Sequence, residues 1–224
     1  MIERIRSYVR REGRITTAQQ RALQQLLPEY GLSVTDGIID FCQVFARKAP
    51  CILEIGFGMG QSLLTMAQTN PDYNFIGVEV YRPGVGVLLL ELARQNITNV
   101  HVYCADAVEV LERCIPDTSL AKILLFFPDP WPKRRHQKRR IIQTQFIQLL
   151  YKKLQINGAL HIVTDWEDYA QYILKVMTAI KGFKQGIPDW RPITKFEQRG
   201  VKSGHKIWDL FFIKENHDYN KSAI

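Results

Sequence analysis

Apolar and polar positions are arranged along the chain in two registers. Short continuous apolar runs fall at residues 51–55, 74–80, 100–103, 121–127, 159–164 and 206–213, a length and composition that predict strands. Between most of them lie stretches of helical length or spacing, at 62–69, 85–95, 107–114, 139–154 and 166–180. Strand and helix signals alternate as they do in parallel β-α units, so the expected fold class is α/β with a doubly wound sheet. Residues 182–204, with Pro188, Pro192 and Gly200, break the pattern and are expected to form a functional loop.

Composition narrows this picture. A chain of 224 residues with 46% hydrophobic and 23% charged residues suits one globular domain and excludes wholesale disorder. The balance of 30 Lys plus Arg against 22 Asp plus Glu, net +8, favours a polyanionic partner, with the placement of the charges deciding which. Arg4, Arg6, Arg10, Arg11 and Arg14 crowd the first residues. A basic N-terminal segment, 1–30, solvated or ordered by a partner, is therefore set apart from a single domain over 31–224.

Cys42, Cys51, Cys104 and Cys114 show no C-x-x-C spacing and are expected to be reduced and structural. His101, His136, His161, His205 and His217 lack ligand spacing, so no metal is expected. Neither a signal peptide nor a run of about 18 apolar residues is present, and the expected location is cytoplasmic with no membrane partner.

The first strand runs into Glu54-Ile-Gly-Phe-Gly-Met-Gly60, where glycines allow a tight turn and close approach of backbone N–H groups to a ligand. The pattern is G-x-G-x-G. Gln61 stands where the dinucleotide fingerprint G-x-G-x-x-G has its third glycine, which argues against NAD. The loop also lacks the Lys of a phosphate-cradling G-K-[ST]. Glu79 ends the second strand and Asp106 closely follows the third, so Glu54, Gly56, Gly58, Glu79 and Asp106 gather on one rim of the sheet. A carboxylate for ribose hydroxyls, an acceptor for an adenine amine and a backbone turn suit S-adenosylmethionine.

The fourth strand ends in Pro128-Asp129-Pro130-Trp131-Pro132-Lys133, an acid and an aromatic in a proline-stiffened loop at the same edge. Asp129 is the first choice for the catalytic residue. Lys133, Arg134, Arg135, Lys138, Arg139 and Arg140 then place six positive charges in eight residues, suited to phosphate contacts with nucleic acid. Such a run at a helix start opposes the macrodipole, which an anionic partner would explain.

The glycine turn, the P-D-P-W-P-K loop with its basic continuation, Thr164-Asp165-Trp166 and Thr194-Lys195-Phe196-Glu197 together resemble bacterial tRNA (guanine-N7-)-methyltransferases, in order and spacing, over nearly the whole chain. Met59 is the one local departure. The resemblance implies a Rossmann-like class I methyltransferase sheet, mostly parallel with an antiparallel last strand at 206–213. It implies S-adenosylmethionine held by Glu54, Glu79, Asp106 and Asp129, and substrate contacts from Lys133, Asp165, Thr194, Lys195, Phe196 and Glu197. It assigns Arg134, Arg135, Lys138, Arg139 and Arg140 to RNA. The implied reaction is methylation at N7 of a guanosine in the tRNA variable loop, by a monomer or homodimer.

N7 has an in-plane lone pair and no proton, so alignment rather than a general base is expected to dominate, with Asp129, supported by Asp165, answering the charge that develops. Exocyclic amine methylation uses an N/D-P-P-Y/F loop instead, and the sequence here departs from it. Two other readings stay open on the residues: a small-molecule methyltransferase of the same fold, and a non-catalytic RNA-binding module.

Overall fold

Buried apolar runs must pair their peptide groups, and here they do so in one sheet. The structure, a computed structural model, describes residues 7–8 and 13–216. Its strands are β1 (Gly31–Leu32), β2 (Cys51–Ile55), β3 (Asn74–Val78), β4 (Val100–Tyr103), β5 (Leu120–Phe126), β6 (Leu154–Thr164), β7 (Phe183–Gln185) and β8 (Trp208–Lys214). Their order is β1-β4-β3-β2-β5-β6-β8-β7. Neighbours from β1 to β6 pair parallel, whereas β8 runs antiparallel to both β6 and β7. The strand order reverses between β2 and β5, which opens a crevice at their carboxyl ends.

The helices are α1 (Thr17–Gln25), α2 (Leu27–Tyr30), α3 (Phe41–Phe45), α4 (Gln61–Thr69), α5 (Arg82–Arg94), α6 (Ala107–Arg113), α7 (Thr144–Lys153), α8 (Glu167–Thr178) and α9 (Lys195–Lys202). Leu63 of α4, and Val85, Leu88, Leu89 and Leu92 of α5, pack with Ala22 and Leu23 of α1 on one face of the sheet. Val110 and Leu111 of α6, Ile147 and Leu150 of α7, and Ile173 of α8 fill the other. Apolar burial on both faces accounts for the near-continuous hydrophobic strands.

Several expected elements shift. The helix expected over 139–154 divides, because Arg140 is extended and buries its side chain; Arg134–Arg139 forms a separate 3₁₀ turn and α7 starts at Thr144. The basic run is thus not at the start of an α-helix, and the macrodipole argument does not apply to it. The irregular stretch 182–204 contains β7 and α9. Within 1–30, residues 17–30 form α1 and α2, with Ala22, Leu23 and Tyr30 buried. Arg4, Arg6, Arg10, Arg11 and His217 lie outside the described residues.

On β5 and β6, the face opposite the one that α7 and α8 cover carries polar side chains. Lys122 of β5 and His161 of β6 share that face with Phe126 and Val163 by strand alternation. The chain from 186 to 193 crosses it, so Lys122 pairs with Asp189, and Arg191 and His161 both pair with Asp209 of β8. The polar residues that point inward here are each paired, Lys122 with Asp189 of the crossing chain and His161 with Asp209 of β8.

Candidate active site

After β2 the chain turns through Gly56 at φ 74° and Gly58 at φ 60°, a region that a side chain rarely adopts. A Cβ built on either would meet nothing within 4 Å, so the turn faces open space. Glu79, immediately after β3, locks this turn. One carboxylate oxygen accepts from the Gly58 N–H at 2.8 Å, and the other from the N–H groups of Val80 at 2.7 Å and Tyr81 at 2.9 Å. Asp106 follows β4 and caps α6, accepting from the Val108 N–H at 2.9 Å.

Glu54 lies beneath the turn, 1% exposed. The Ser62 hydroxyl donates to its Oε1, while Oε2 is buried with no hydrogen-bond partner among the described residues. Burial raises its carboxyl to about 7. A buried carboxyl with one oxygen lacking a donor, beside a glycine cradle with room for a ligand, fits the amino-acid portion of S-adenosylmethionine, whose ammonium would satisfy that oxygen.

A cleft of about 1460 Å³ opens above these residues. Gly56, Glu79, Asp106 and Asp129 all line it, so four of the sequence-predicted residues converge there. Gly58 shapes the turn beside it and Glu54 sits below. Ser7, Tyr8, Tyr81 and Cys104 also line the cleft, and sequence reasoning missed them. Only Tyr81 and Cys104 carried a signal, their position just past a strand end.

The loop after β5 is bracketed by two left-handed aromatics, Phe127 at φ 54° and Trp131 at φ 43°. Such conformations cost about 1–3 kcal/mol each and persist only when their surroundings impose them. The contacts that impose them are clear. The Phe127 N–H donates to the Val163 carbonyl at 2.7 Å, and the Trp131 indole N–H donates to the Ser7 carbonyl at 3.0 Å. Arg140 Nε donates to the Pro130 carbonyl at 2.8 Å. Asp129 is thereby presented, exposed, at the cleft.

Lys133, Arg134, Arg135 and Lys138 are exposed at the lip of the loop, and the Arg139 guanidinium lies 5.1 Å from the Trp131 ring. Arg140 differs from its neighbours. It is 3% exposed, pairs with Asp168 and stacks on Tyr169 and Tyr172, so it braces the loop from inside and is not presented to RNA.

Residues 194–197 open α9. The Thr194 hydroxyl accepts from the Glu197 N–H, and the Glu197 carboxylate accepts from the Thr194 N–H, a reciprocal capping box. Glu197 is buried and paired with Arg191, whereas Lys195 and Phe196 are exposed. Thr194 and Glu197 thus shape the helix start, and Lys195 and Phe196 are the outward pair. The Phe196 ring lies 5.0 Å from that of Phe127, joining α9 to the Asp129 loop. Asp165, just past β6, bonds His205 Nδ1 through its carboxylate at 2.9 Å.

Among the described residues, no group of three or more His, Cys, Asp or Glu is arranged to hold a metal, and no helix is long and apolar enough to cross a membrane.

Comparison with known proteins places this geometry in context. Residues 48–210 match the family described as "Putative methyltransferase". The chain is 51% identical over 222 residues to a tRNA (guanine-N(7)-)-methyltransferase of Alcanivorax borkumensis, spanning 96% of this chain and 93% of that one. It is 55% identical over 219 residues to the enzyme of that name from Pseudomonas savastanoi pv. phaseolicola, spanning 94% and 90%. Among solved structures it resembles the 16S rRNA methyltransferase KamB, with a TM-score of 0.59 at 11% identity over 80% of this chain and 95% of that one. A SAM-dependent O-methyltransferase from Thermotoga maritima gives 0.53 at 15% identity over 78% and 63%. These two likenesses are of fold.

Proposed function

The chain belongs to the tRNA (guanine-N(7)-)-methyltransferase family, and on that premise we propose that it methylates N7 of a guanosine in the variable loop of tRNA, using S-adenosylmethionine. The observation that carries the reading is the meeting of Gly56, Glu79, Asp106 and Asp129 on one cleft whose lip bears Lys133, Arg134, Arg135 and Lys138.

When bound, the cofactor supplies a methyl group on a cationic sulfur, and its transfer to N7 leaves the positive charge on the purine. Glu79 would take the ribose hydroxyls, the stretch around Asp106 the adenine side, and the glycine turn with Glu54 the amino-acid portion. N7 needs no deprotonation, so the task of the protein is to align it. Asp129, held by a loop braced at both ends, accepts from the N1–H and N2–H edge of guanine and offsets the charge that the ring acquires. Asp165 supports it from the neighbouring strand end, and Lys195 and Phe196 hold the guanosine from α9. Lys133, Arg134, Arg135, Lys138 and Arg139 contact RNA.

Incubation with unmodified tRNA and methyl-labelled S-adenosylmethionine, followed by nuclease digestion and mass analysis, tests the reading. The expected product is 7-methylguanosine, mapped to the variable loop. Asp129→Ala is expected to lower turnover by roughly 1000-fold, a loss well beyond that in tRNA affinity, because its contact with the guanine edge strengthens as the ring acquires charge. Label in another nucleoside refutes the target, and near wild-type turnover in the variant refutes the role of Asp129.

A further inference from the structure

α9 lacks the anchor that fixes most helices. Its buried residues are Glu197 and Gly200, so no fully buried apolar side chain of its own holds it down, and its one aromatic contact, Phe196 on Phe127, is half-exposed. The anchor is polar instead. Arg191, 9% exposed at its side chain, donates from Nη1 to Glu197 Oε2 at 2.5 Å and from Nη2 to Glu197 Oε1 at 3.0 Å. Its Nε donates to Asp209 Oδ2 at 2.8 Å. One guanidinium thus ties the start of α9 to β8, and the other Asp209 oxygen meets His161 of β6. Burial pushes the Asp209 carboxyl up, yet the hydrogen bonds from His161 and Arg191 hold it below its ordinary value.

This clamp stands directly behind the site. The Arg191 guanidinium lies 5.7 Å from the ring of Phe126, a residue of the cleft wall. Phe196, one residue before the clamped Glu197, rests against Phe127 at the root of the Asp129 loop. At the other end of α9, Asp165 bonds His205, and a Cβ on Gly200 would come within 3.3 Å of the same Asp165 oxygen.

We propose that Arg191 is a positioning residue for the methylation reaction: its fork on Glu197 and Asp209 sets the register of α9, and so where Lys195 and Phe196 meet the guanosine. The inference rests on the tRNA reading above. A buried ion pair is replaceable by apolar packing where only stability is at stake. The placement of α9 depends on the planar fork reaching two carboxylates at once, which a lysine ammonium cannot reproduce.

The test compares the full-length wild type with Arg191→Met and Arg191→Lys. Steady-state kinetics with unmodified tRNA, calorimetric titration with S-adenosylmethionine and amide hydrogen exchange are measured on each. Arg191→Met is expected to lower kcat/KM for tRNA by roughly 100-fold, the scale of an ångström-level misplacement, and to leave cofactor Kd within about twofold. Exchange is expected to accelerate in residues 194–202 while β6 and β8 stay protected. Arg191→Lys is expected to recover at most about a tenth of the lost efficiency, because the second carboxylate stays unpaired.

Cofactor affinity falling in step with tRNA efficiency, exchange rising across the sheet, or unchanged kinetics overturns the inference. Should Arg191→Met fail to fold, Arg191→Lys decides alone, and wild-type efficiency in it overturns the proposal. A wild type that makes no 7-methylguanosine defeats the functional reading instead, and the exchange of α9 still reports whether Arg191 clamps it.

Discussion

The two sides of the cleft are fixed by different means. On the cofactor side, carboxylates bond to backbone N–H groups that lie near in the chain or on the adjoining turn: Glu79 to Gly58, Val80 and Tyr81, and Asp106 to Val108. On the substrate side, side chains bond across long sequence separations: Trp131 to Ser7, Arg140 to Asp168, His205 to Asp165. The first kind of site follows once the sheet forms, since strand ends and turns already carry its partners. The second depends on which side chains meet, so it can be retuned one residue at a time while the cofactor rim stays intact.

Three interventions break or sharpen this contrast. The largest effect is expected from Glu79→Ala, which removes the acceptor of three backbone N–H groups and the ribose ligand together. Two lost charge-assisted hydrogen bonds to the ribose at about 1.5 kcal/mol each correspond to a roughly 100-fold weaker cofactor Kd. Calorimetric titration measures it, and tRNA affinity measured on the same sample is expected to hold. A cofactor Kd within threefold of wild type would remove Glu79 from the site.

On the other side, combined replacement of Arg134, Arg135 and Lys138 by Ala is expected to weaken tRNA binding roughly tenfold near 0.15 M salt. The slope of log Kd against log salt is expected to fall by about three, one for each phosphate contact. Filter binding across a salt series reads both, and an unaltered slope would show that these side chains do not meet phosphate. Arg140 belongs outside this set, and its replacement is expected to unfix the Asp129 loop rather than alter the slope.

The smallest effect concerns Glu54, and it is a matter of pH. Below about 4.5 its carboxyl is protonated in folded and unfolded chains alike; between 4.5 and about 7 only the folded chain keeps the proton. Stability of the unloaded protein therefore falls as pH rises through that window and levels off above about 7. A ligand ammonium favours the ionised form, so cofactor affinity is expected to weaken several-fold as pH drops from about 8 to about 6. Titration at both pH values, with Glu54→Gln showing a flatter response, checks it.

The same contrast explains what could be read from the sequence. Strands β2 to β6 and β8 were legible because burial on both faces makes them unbroken apolar runs, and the acids were legible because topology puts each at a strand end. The fold of α1 was not foreseen, although Thr16 and Gln19 form a capping box that names its start. Thr194 and Glu197 carry the same signal at the start of α9. Arg140 was misread for a different reason. Charge density marks a basic run, but it does not say which member turns inward, and that was decided by Pro130, Asp168, Tyr169 and Tyr172, of which the last three stand 28 or more residues away.

The bracketed Asp129 loop has a thermodynamic consequence. Pro128 and Pro130 have fixed φ, and Phe127 and Trp131 are pinned by their N–H contacts, so few soft torsions remain around Asp129. The conformational entropy of this segment is lost when the chain folds, not each time a guanosine arrives. The loop is therefore expected to add little to the activation entropy of turnover, leaving that quantity to the RNA.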